Sequence, residues 1–582
     1  MAIAAVLNPA TGYELSIYAG TPVVFWAGLA VAVCVGIGGA TSLRKRSTQY
    51  LSAAIAIGAI MLFVSLPFVR DYYYFGQEDA LQHLGWVREI LLTGSFNADP
   101  YPGIHVLATF LNLVTGVSPS RSLLLVPPAT FLLYVVSLPL LADYFVDTER
   151  ANLRPLALLS GCLIPTITAV MIPRMQPIAT VGAMHITPIV IWATLNAISS
   201  NRSQYTSFFI CIVVLQGSLV LYHPQYMLVL LAITSVYTLG IVASDIVSKG
   251  SKIRPHPRYL IPGVVIPGVV LSYDLIKSQF FSGASETLLT RYGSGGISTA
   301  DPSGSGLSEV GGSALTLFVR SLSVKLAIGL VGVLTVAISI YKIGRALWHG
   351  SSIIDEISAA HGRQLLLLLG CVPVAGLGLV YLVAGDLPQV VRYFSFITGL
   401  GTVFVSIRLV DISGKVDRQT FGAIASVLLI VGVAGAVPAT FNSPYLFKPT
   451  QQVTESQMSG YDWTFNTAAD KPTFATDTDV GRHYRATRGN SRYRKWRGSD
   501  MSQGFSVRGG GLVGPHFNSQ NLSEAAGSEG IYLITTDFSR QQQLSLYKGL
   551  VFNESDYRYL QSSENISCIY DNGDFREYQV RN

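Results

Sequence analysis

The sequence predicts a polytopic α-helical membrane protein of about twelve spans, with interfacial helices in its first outer loop and an outer α/β domain at its C-terminus. Three observations lead there. Half of the 582 residues are hydrophobic, only 13% are charged and the mean hydropathy is +0.43, whereas a soluble chain carries about 25% charged residues. Apolar runs of about 20 residues, the length that crosses a bilayer, recur from residue 22 to residue 437. From Phe441 onward the composition turns polar and stays so over a length sufficient for a domain.

The runs read as spans are 22–40, 51–69, 121–144, 155–172, 178–198, 205–222, 225–247, 258–275, 321–343, 364–384, 388–410 and 419–437. Basic loops set their orientation, because lysine and arginine are retained on the cytoplasmic side. Arg44-Lys45-Arg46, Lys249 to Arg258, Lys342 to Arg363 and Arg408 to Arg418 are therefore placed inside. These anchors agree with one another if the segment 101–117 lies on the membrane surface instead of crossing it. The segment 78–93 is read in the same way: Leu81, Leu84, Val87 and Leu91 recur at helical spacing, which suits an interfacial helix.

The result is a transmembrane domain over residues 1–437, with outer loops 70–120 and 276–320, and an extracytoplasmic α/β domain over 438–582. Residues 1–20 lack the basic start and apolar core of a cleavable signal peptide. Loop 276–320 is rich in glycine and serine, which fits either a flexible connection or a lid. In the tail, Ile531 to Thr536 reads as a buried strand, and Cys568 to Val580 as a hairpin with Asn572-Gly573 at its turn. Asp462-Trp-Thr-Phe suggests a short helix. The sequons at Asn521, Asn553 and Asn565 agree with an outer tail. Of the five cysteines, only Cys568 lies in the tail, so the tail closes no internal disulfide. The net charge of +6 sits largely in short loops and reports topology, not nucleic-acid binding.

The candidate chemistry starts in the first outer loop, Asp71-Tyr-Tyr-Tyr-Phe-Gly-Gln-Glu78-Asp79-Ala-Leu-Gln-His83. Asp79 opens an amphipathic helix, and His83 follows one turn later on the same face. A carboxylate there can act as general base on an acceptor hydroxyl; the bland alternative is an acid that stabilises a helix N-terminus. Glu78, His83 and Asp71 are supporting candidates. Arg392, followed by Tyr393, stands at the outer end of a span, where positive charge is not favoured. A guanidinium there matches a phosphate, and the alternative is a snorkelling side chain. Arg174 and His223 lie at outer turns interrupted by proline and could help neutralise an anionic leaving group. His185 reads as a packing residue. The basic run from Arg482 to Arg497 reads as a solvated face or a headgroup contact, with an acidic glycan acceptor as the alternative.

The stretch Glu78-Asp79-Ala-Leu-Gln-His83-Leu-Gly-Trp-Val-Arg-Glu-Ile, then Tyr101-Pro-Gly-Ile-His105, resembles the GT-C glycosyltransferases of archaea, as does the ending Tyr570-Asp-Asn-Gly-Asp-Phe-Arg-Glu-Tyr. That superfamily includes protein O-mannosyltransferases, aminoarabinose transferases and oligosaccharyltransferases. The resemblance implies that Asp79 takes the catalytic acidic position and Arg392 the phosphate-binding position. It implies a sugar donor linked to polyprenyl phosphate, dolichyl phosphate in particular, a glycan, glycolipid or glycoprotein acceptor, contact with membrane lipids and no nucleic-acid partner. Two departures stand out. A span at 22–40 precedes the usual first helix, and the next outer turn, Pro173-Arg174-Met-Gln-Pro, carries no acid. Metal-independent, inverting transfer with no cofactor is therefore favoured over metal-dependent oligosaccharide transfer, although a divalent metal stays possible. A lipid-linked sugar flippase would need charges within spans and related halves, and a surface-glycan polymerase is a third reading.

Overall fold

The computed structural model describes residues 1–96, 101–146, 175–199, 202–249, 260–278, 311–350, 360–384, 386–467 and, further on, 474–476, 480–493, 504–506, 516–517, 522 and 530–581. Ten helices are long and apolar enough to cross a membrane. They are α1 (Val23–Ser42), α2 (Arg46–Val64), α5 (Pro119–Tyr144), α6 (Ala179–Ser199), α7 (Arg202–Tyr222), α8 (Pro224–Lys249), α9 (Ala314–Trp348), α10 (Ala360–Val383), α11 (Leu387–Ser413) and α12 (Arg418–Ala436). Each matches a run read from the sequence. The run 155–172 and most of the loop 276–320 lie outside the described residues. The run at 258–275 is a shorter element, a π-turn over Ile261–Val265 continuing into an α-helix over Ile266–Ser278.

Between α2 and α5 come strand β1 (Tyr74–Phe75) and two helices shorter than a bilayer, α3 (Asp79–Thr93) and α4 (Pro102–Thr115). Both stop at a glycine in the left-handed region, Gly94 at φ 66° and Gly116 at φ 72°, where a Cβ is unfavourable. Helix α3 buries Leu81, Leu84 and Val87, the apolar stripe legible in its sequence.

After α12 the chain forms β2 (Gln452–Val453), α13 (Glu455–Thr467), β3 (Phe474–Thr476), α14 (Val480–Arg488), β4 (Gly504–Ser506), β5 (Ile531–Thr536), β6 (Ile566–Asp571) and β7 (Phe575–Val580). Five strands form one sheet in the order β4-β3-β5-β7-β6, with β3 parallel to both β4 and β5 and with β7 antiparallel to β5 and β6. The β6–β7 hairpin turns through Asn572, Gly573 and Asp574, and only Gly573 has positive φ (96°). The expected two-residue turn with two positive φ angles is therefore replaced by a longer one, closed by Phe575 N–H donating to Asn572 Oδ1 at 3.1 Å.

The polar tail does not stand apart from the helices. Strand β2 pairs antiparallel with β1, Tyr74 opposite Val453 and Phe75 opposite Gln452. Helix α14 lies along α3 so closely that a Cβ on Gly85 would meet the Arg485 carbonyl oxygen at 2.7 Å. Val453, Met458 and Ala486 belong to the same buried core as the membrane helices. Near the N-terminus, Glu14 accepts from both Arg70 Nη1 (2.5 Å) and Nη2 (2.6 Å), and from the Tyr72 hydroxyl at 2.7 Å. Arg70 is only 2% exposed. A fork of this kind fixes geometry as well as charge, and it ties residues 10–15 to the base of the loop that follows α2.

Candidate active site

The loop that carries the acids is held in an uncommon backbone conformation. Asp71 (φ 61°) and Glu78 (φ 56°) are both non-glycine residues at positive φ, which costs of order 1–3 kcal/mol each unless the surroundings impose it. Those surroundings are dense. Gly76 N–H donates to the Gln451 carbonyl at 2.7 Å, Gln77 Nε2 donates to the Gln452 carbonyl at 3.0 Å, and the Tyr74 hydroxyl donates to the Ala80 carbonyl at 2.6 Å. Two of these three partners come from the tail.

Asp79 sits in the first turn of α3 and is 63% exposed, with Arg482 Nη2 of α14 3.1 Å from its Oδ1. Glu78, 49% exposed, lies 3.6 Å from the same guanidinium. The basic run is thus not a purely solvated face. Arg482 and Arg485 reach α3, the latter donating to Gln82 Oε1, and Arg488 pairs with Asp462 at 2.9 Å. In return Arg88 Nη1 donates to the Thr487 carbonyl at 2.9 Å, and the buried Glu89 accepts from Ser491 N–H at 3.1 Å. Asp71 pairs instead with Arg121, on the wall of a mainly polar cavity of about 470 Å³ that Tyr73, Glu455 and Asp574 also line.

His83 does not join Asp79, although one turn separates them. Its ring is buried, and its Nδ1 lies 2.7 Å from His105 Nε2 of α4. One turn before His105, Tyr101 stacks on His223 with ring centroids 4.6 Å apart. His223 occupies the turn between α7 and α8. Burial pushes its pKa down to about 3, assisted by the positive charge of Arg392. His83 is likewise held well below the usual imidazole range, by burial first and then by the neighbouring His105 and His223. Burial thus disfavours a charge on both His83 and His223.

Arg392 is half-buried, and no carboxylate pairs with it among the described residues. Its positive charge acts on His223. Nearby, Gln225 Nε2 donates to Gln389 Oε1 at 3.1 Å, one helical turn before Arg392 and Tyr393. Tyr393 is buried and stacks on Tyr381 with centroids 5.8 Å apart. An apolar groove of about 660 Å³ runs between α9, α10 and α11, past Phe394, Gly401 and Phe404. Helical spacing puts Arg392 on the opposite side of α11 from these residues.

Of the sequence candidates, the structure thus brings together Arg392, Tyr393, His223 and His83, and sets Asp79 with Glu78 at the α3–α14 seam and Asp71 at the polar cavity. Arg174 lies outside the described residues. Sequence reasoning passed over His105, Tyr101 and Gln225 as site residues. The spacing Tyr101-x-x-x-His105 was the available signal, since it puts two rings on one face of a helix start. Among the described residues no group of three or more His, Cys, Asp or Glu side chains is placed to hold a metal ion.

No family model matches the chain, and no curated protein does either. Solved structures do. The oligosaccharyltransferase of Archaeoglobus fulgidus, crystallised with zinc and sulfate, aligns at TM-score 0.46 and 11% identity over 86% of this chain and 70% of its own. The archaeal oligosaccharyltransferase AglB from the same organism, in complex with an inhibitory peptide and a dolichol-phosphate, aligns at 0.47 and 10% over 85% and 71%. ArnT from Cupriavidus metallidurans, bound to undecaprenyl phosphate, aligns at 0.41 and 11% over 92% and 98%. TM-scores this low, at such identity, decide neither activity nor substrate.

Proposed function

We propose that this chain is a membrane glycosyltransferase of the GT-C type, which moves a sugar from a polyprenyl phosphate, dolichyl phosphate in particular, to an acceptor on the outer face of the membrane. The observation that carries the reading is Arg392: a half-buried cation with no carboxylate partner among the described residues, whose charge acts on the buried His223. A cation in such a place is costly unless an anion completes it. A phosphate held at the depth of the lipid headgroups fits that need, and the guanidinium fork matches its oxygens. Gln225 and Gln389 add neutral hydrogen-bonding groups beside it.

The exposed Asp79 then stands on the water side as general base for the acceptor hydroxyl. Its contact with Arg482 gives the carboxylate a fixed place. Phosphate is a sufficient leaving group without a general acid, and attack opposite to it inverts the anomeric carbon. In this reading Glu78 and Asp71 shape the acceptor side, and Arg174 and Tyr393 support the donor phosphate. We place the active site and the tail outside the cytoplasm, and favour hexosyl or pentosyl transfer that needs no metal. The test is direct: the purified protein is incubated with polyprenyl-phosphate sugars and a glycan or glycolipid acceptor extract, and radiolabel is followed into acceptor. Transport of the intact lipid-linked sugar across vesicles without transfer would favour the flippase alternative.

A further inference from the structure

The polar cavity beside Asp71 serves neither the donor phosphate nor the general base. Its volume of about 470 Å³ lies within the range of small-molecule sites, about 300–1,000 Å³. Stretches far apart in the chain meet there: residues 10–12, the loop after α2, the start of α5, β2 with the start of α13, and the β6–β7 turn. Hydrogen bonds pin these walls to one another. Gln452, 3% exposed, donates from Nε2 to the Gly12 carbonyl at 2.9 Å and accepts the Glu14 N–H on Oε1 at 2.7 Å. Ala10 N–H donates to the Arg70 carbonyl at 2.9 Å. Asn572 Nδ2 donates to the Ser456 carbonyl at 2.8 Å, which holds the hairpin turn, and Asp574 with it, against the start of α13. A Cβ on Gly12 would stand 3.7 Å from Asp574 Oδ1 and meet nothing else within 4 Å. The missing side chain therefore keeps that part of the space open.

The lining has a definite chemistry. It holds three carboxylates, Asp71, Glu455 and Asp574, and one guanidinium, Arg121. Arg121 is engaged by Asp71, which is kept at positive φ (61°), a strain that clusters at working sites. Glu455 and Asp574 pair with no cation among the described residues. Arg576, two residues after Asp574, is engaged by Asp537 and Asp571 at 3.3 and 3.2 Å. The hydroxyls of Ser118, Ser120 and Ser456 line the same space, and Tyr73 brings an aromatic ring. Carboxylates only accept hydrogen bonds, whereas hydroxyls both donate and accept. A ligand rich in O–H or N–H donors satisfies such a wall, and one with carboxylates or phosphates of its own is repelled by the excess negative charge. Among the described residues these carboxylates form no group placed to hold a metal ion. We infer that the cavity is the acceptor subsite, and that it seats a sugar carrying hydroxyl or amino groups and no acid. The inference rests on the glycosyltransferase reading, in which Asp71 belongs to the acceptor side. The loop from Asp71 to Asp79 joins the cavity to the proposed base, and the Tyr73 hydroxyl accepts from Arg88 Nη2 of α3 at 3.1 Å. An acidic glycan, the alternative partner for the basic run, is disfavoured on a second ground. Arg482 and Arg488 of that run already face Asp79 and Asp462.

The experiment applies the full-length protein, in nanodiscs, to an array of neutral hexose, amino-sugar and uronic-acid oligosaccharides. Binding of a short polyprenyl monophosphate is measured in parallel. Wild type is expected to bind amino-sugar and neutral members, the amino sugars ahead, and to leave the uronic-acid members empty. Glu455→Gln combined with Asp574→Asn should weaken amino-sugar binding by about fivefold, the scale of two exposed charge contacts, and bring it level with neutral binding. Gly12→Leu, which puts a side chain into the cavity, should abolish binding of both classes. Each variant should keep the thermal midpoint and the polyprenyl-phosphate affinity of wild type, and either one decides the matter if the other does not fold. Signal confined to uronic-acid members, no signal on any member, or glycan binding unchanged in the folded variants overturns the subsite and leaves the donor reading intact. Normal glycan binding by a wild type that does not bind the monophosphate overturns the donor reading instead, and leaves a saccharide site without the transfer.

Discussion

The guanidinium of Arg482 lies 3.1 Å from the Asp79 carboxylate, so a helix of the tail touches the acid that opens α3. Asp79→Asn removes the proposed general base but keeps its shape, and on that reading is expected to abolish sugar transfer while leaving polyprenyl-phosphate binding intact. Turnover of a polyprenyl-phosphate sugar by the purified variant checks this, and near-normal turnover would return Asp79 to the role of a helix-start residue. Arg482→Ala should cost little stability, because an exposed ion pair contributes about 0–1 kcal/mol. A large drop in thermal midpoint would mean that the seam itself depends on it.

Arg392→Ala should weaken binding of a non-reactive polyprenyl-phosphate analogue by roughly 2–5 kcal/mol, the cost of losing a charge-assisted contact to a buried anion. Lysine at that position should rescue only in part, as it supplies charge without the planar fork. Equal affinities in wild type, Arg392→Ala and Arg392→Lys would leave the arginine as a structural residue.

Glu577, on β7, gives a pH dependence with a definite sign. It is 1% exposed, and burial pushes its carboxyl up to about 7, although the Thr464 hydroxyl donates to it. The folded state therefore holds a proton that the unfolded state releases near the ordinary glutamate value. Its contribution to stability is fully present below that ordinary value and is lost as pH rises toward 7, amounting to roughly 3 kcal/mol across the window. Glu577→Gln should accordingly raise the unfolding midpoint of the tail at pH 8 and change it little near pH 4. Hydrogen exchange of β5 and β7 amides follows the effect, and equal gains at both pH values would contradict it.

Cys568 is an exposed free thiol on the β6–β7 hairpin. If the tail is outside the cell, a membrane-impermeant maleimide should label it in intact cells, and Cys568→Ser should remove the label. Partial burial pushes the thiol up, so labelling should accelerate at alkaline pH. No labelling before lysis would reverse the assigned orientation.

The membrane helices were legible because lipid imposes a length and a composition that a single sequence displays. Leu81, Leu84 and Val87 likewise revealed α3, since their period matches a buried stripe. The tail's place on the first loop was not legible. Arg482 and Asp79 sit far apart along the chain, and a run of arginines carries no mark of its partner. His105 was missed for a related reason: a histidine in an apolar helix reads as packing until another ring is found 2.7 Å from it. The Arg392–His223 relationship was half visible, as two outer-turn residues of suitable chemistry whose proximity only the fold supplies.

The pairing of β1 with β2 has a consequence for how the protein is made. The acidic loop leaves the ribosome long before Gln452 exists to receive it, so its positive-φ residues have nothing to hold them while the later helices are being inserted. Contacts between such distant stretches form late and slowly. The nascent protein thus spends its biogenesis without an assembled acidic loop. On the proposed function, lipid-linked sugars it meets at that stage are not committed to reaction, and a chain cut short before β2 should remain inert however well its first helices are inserted.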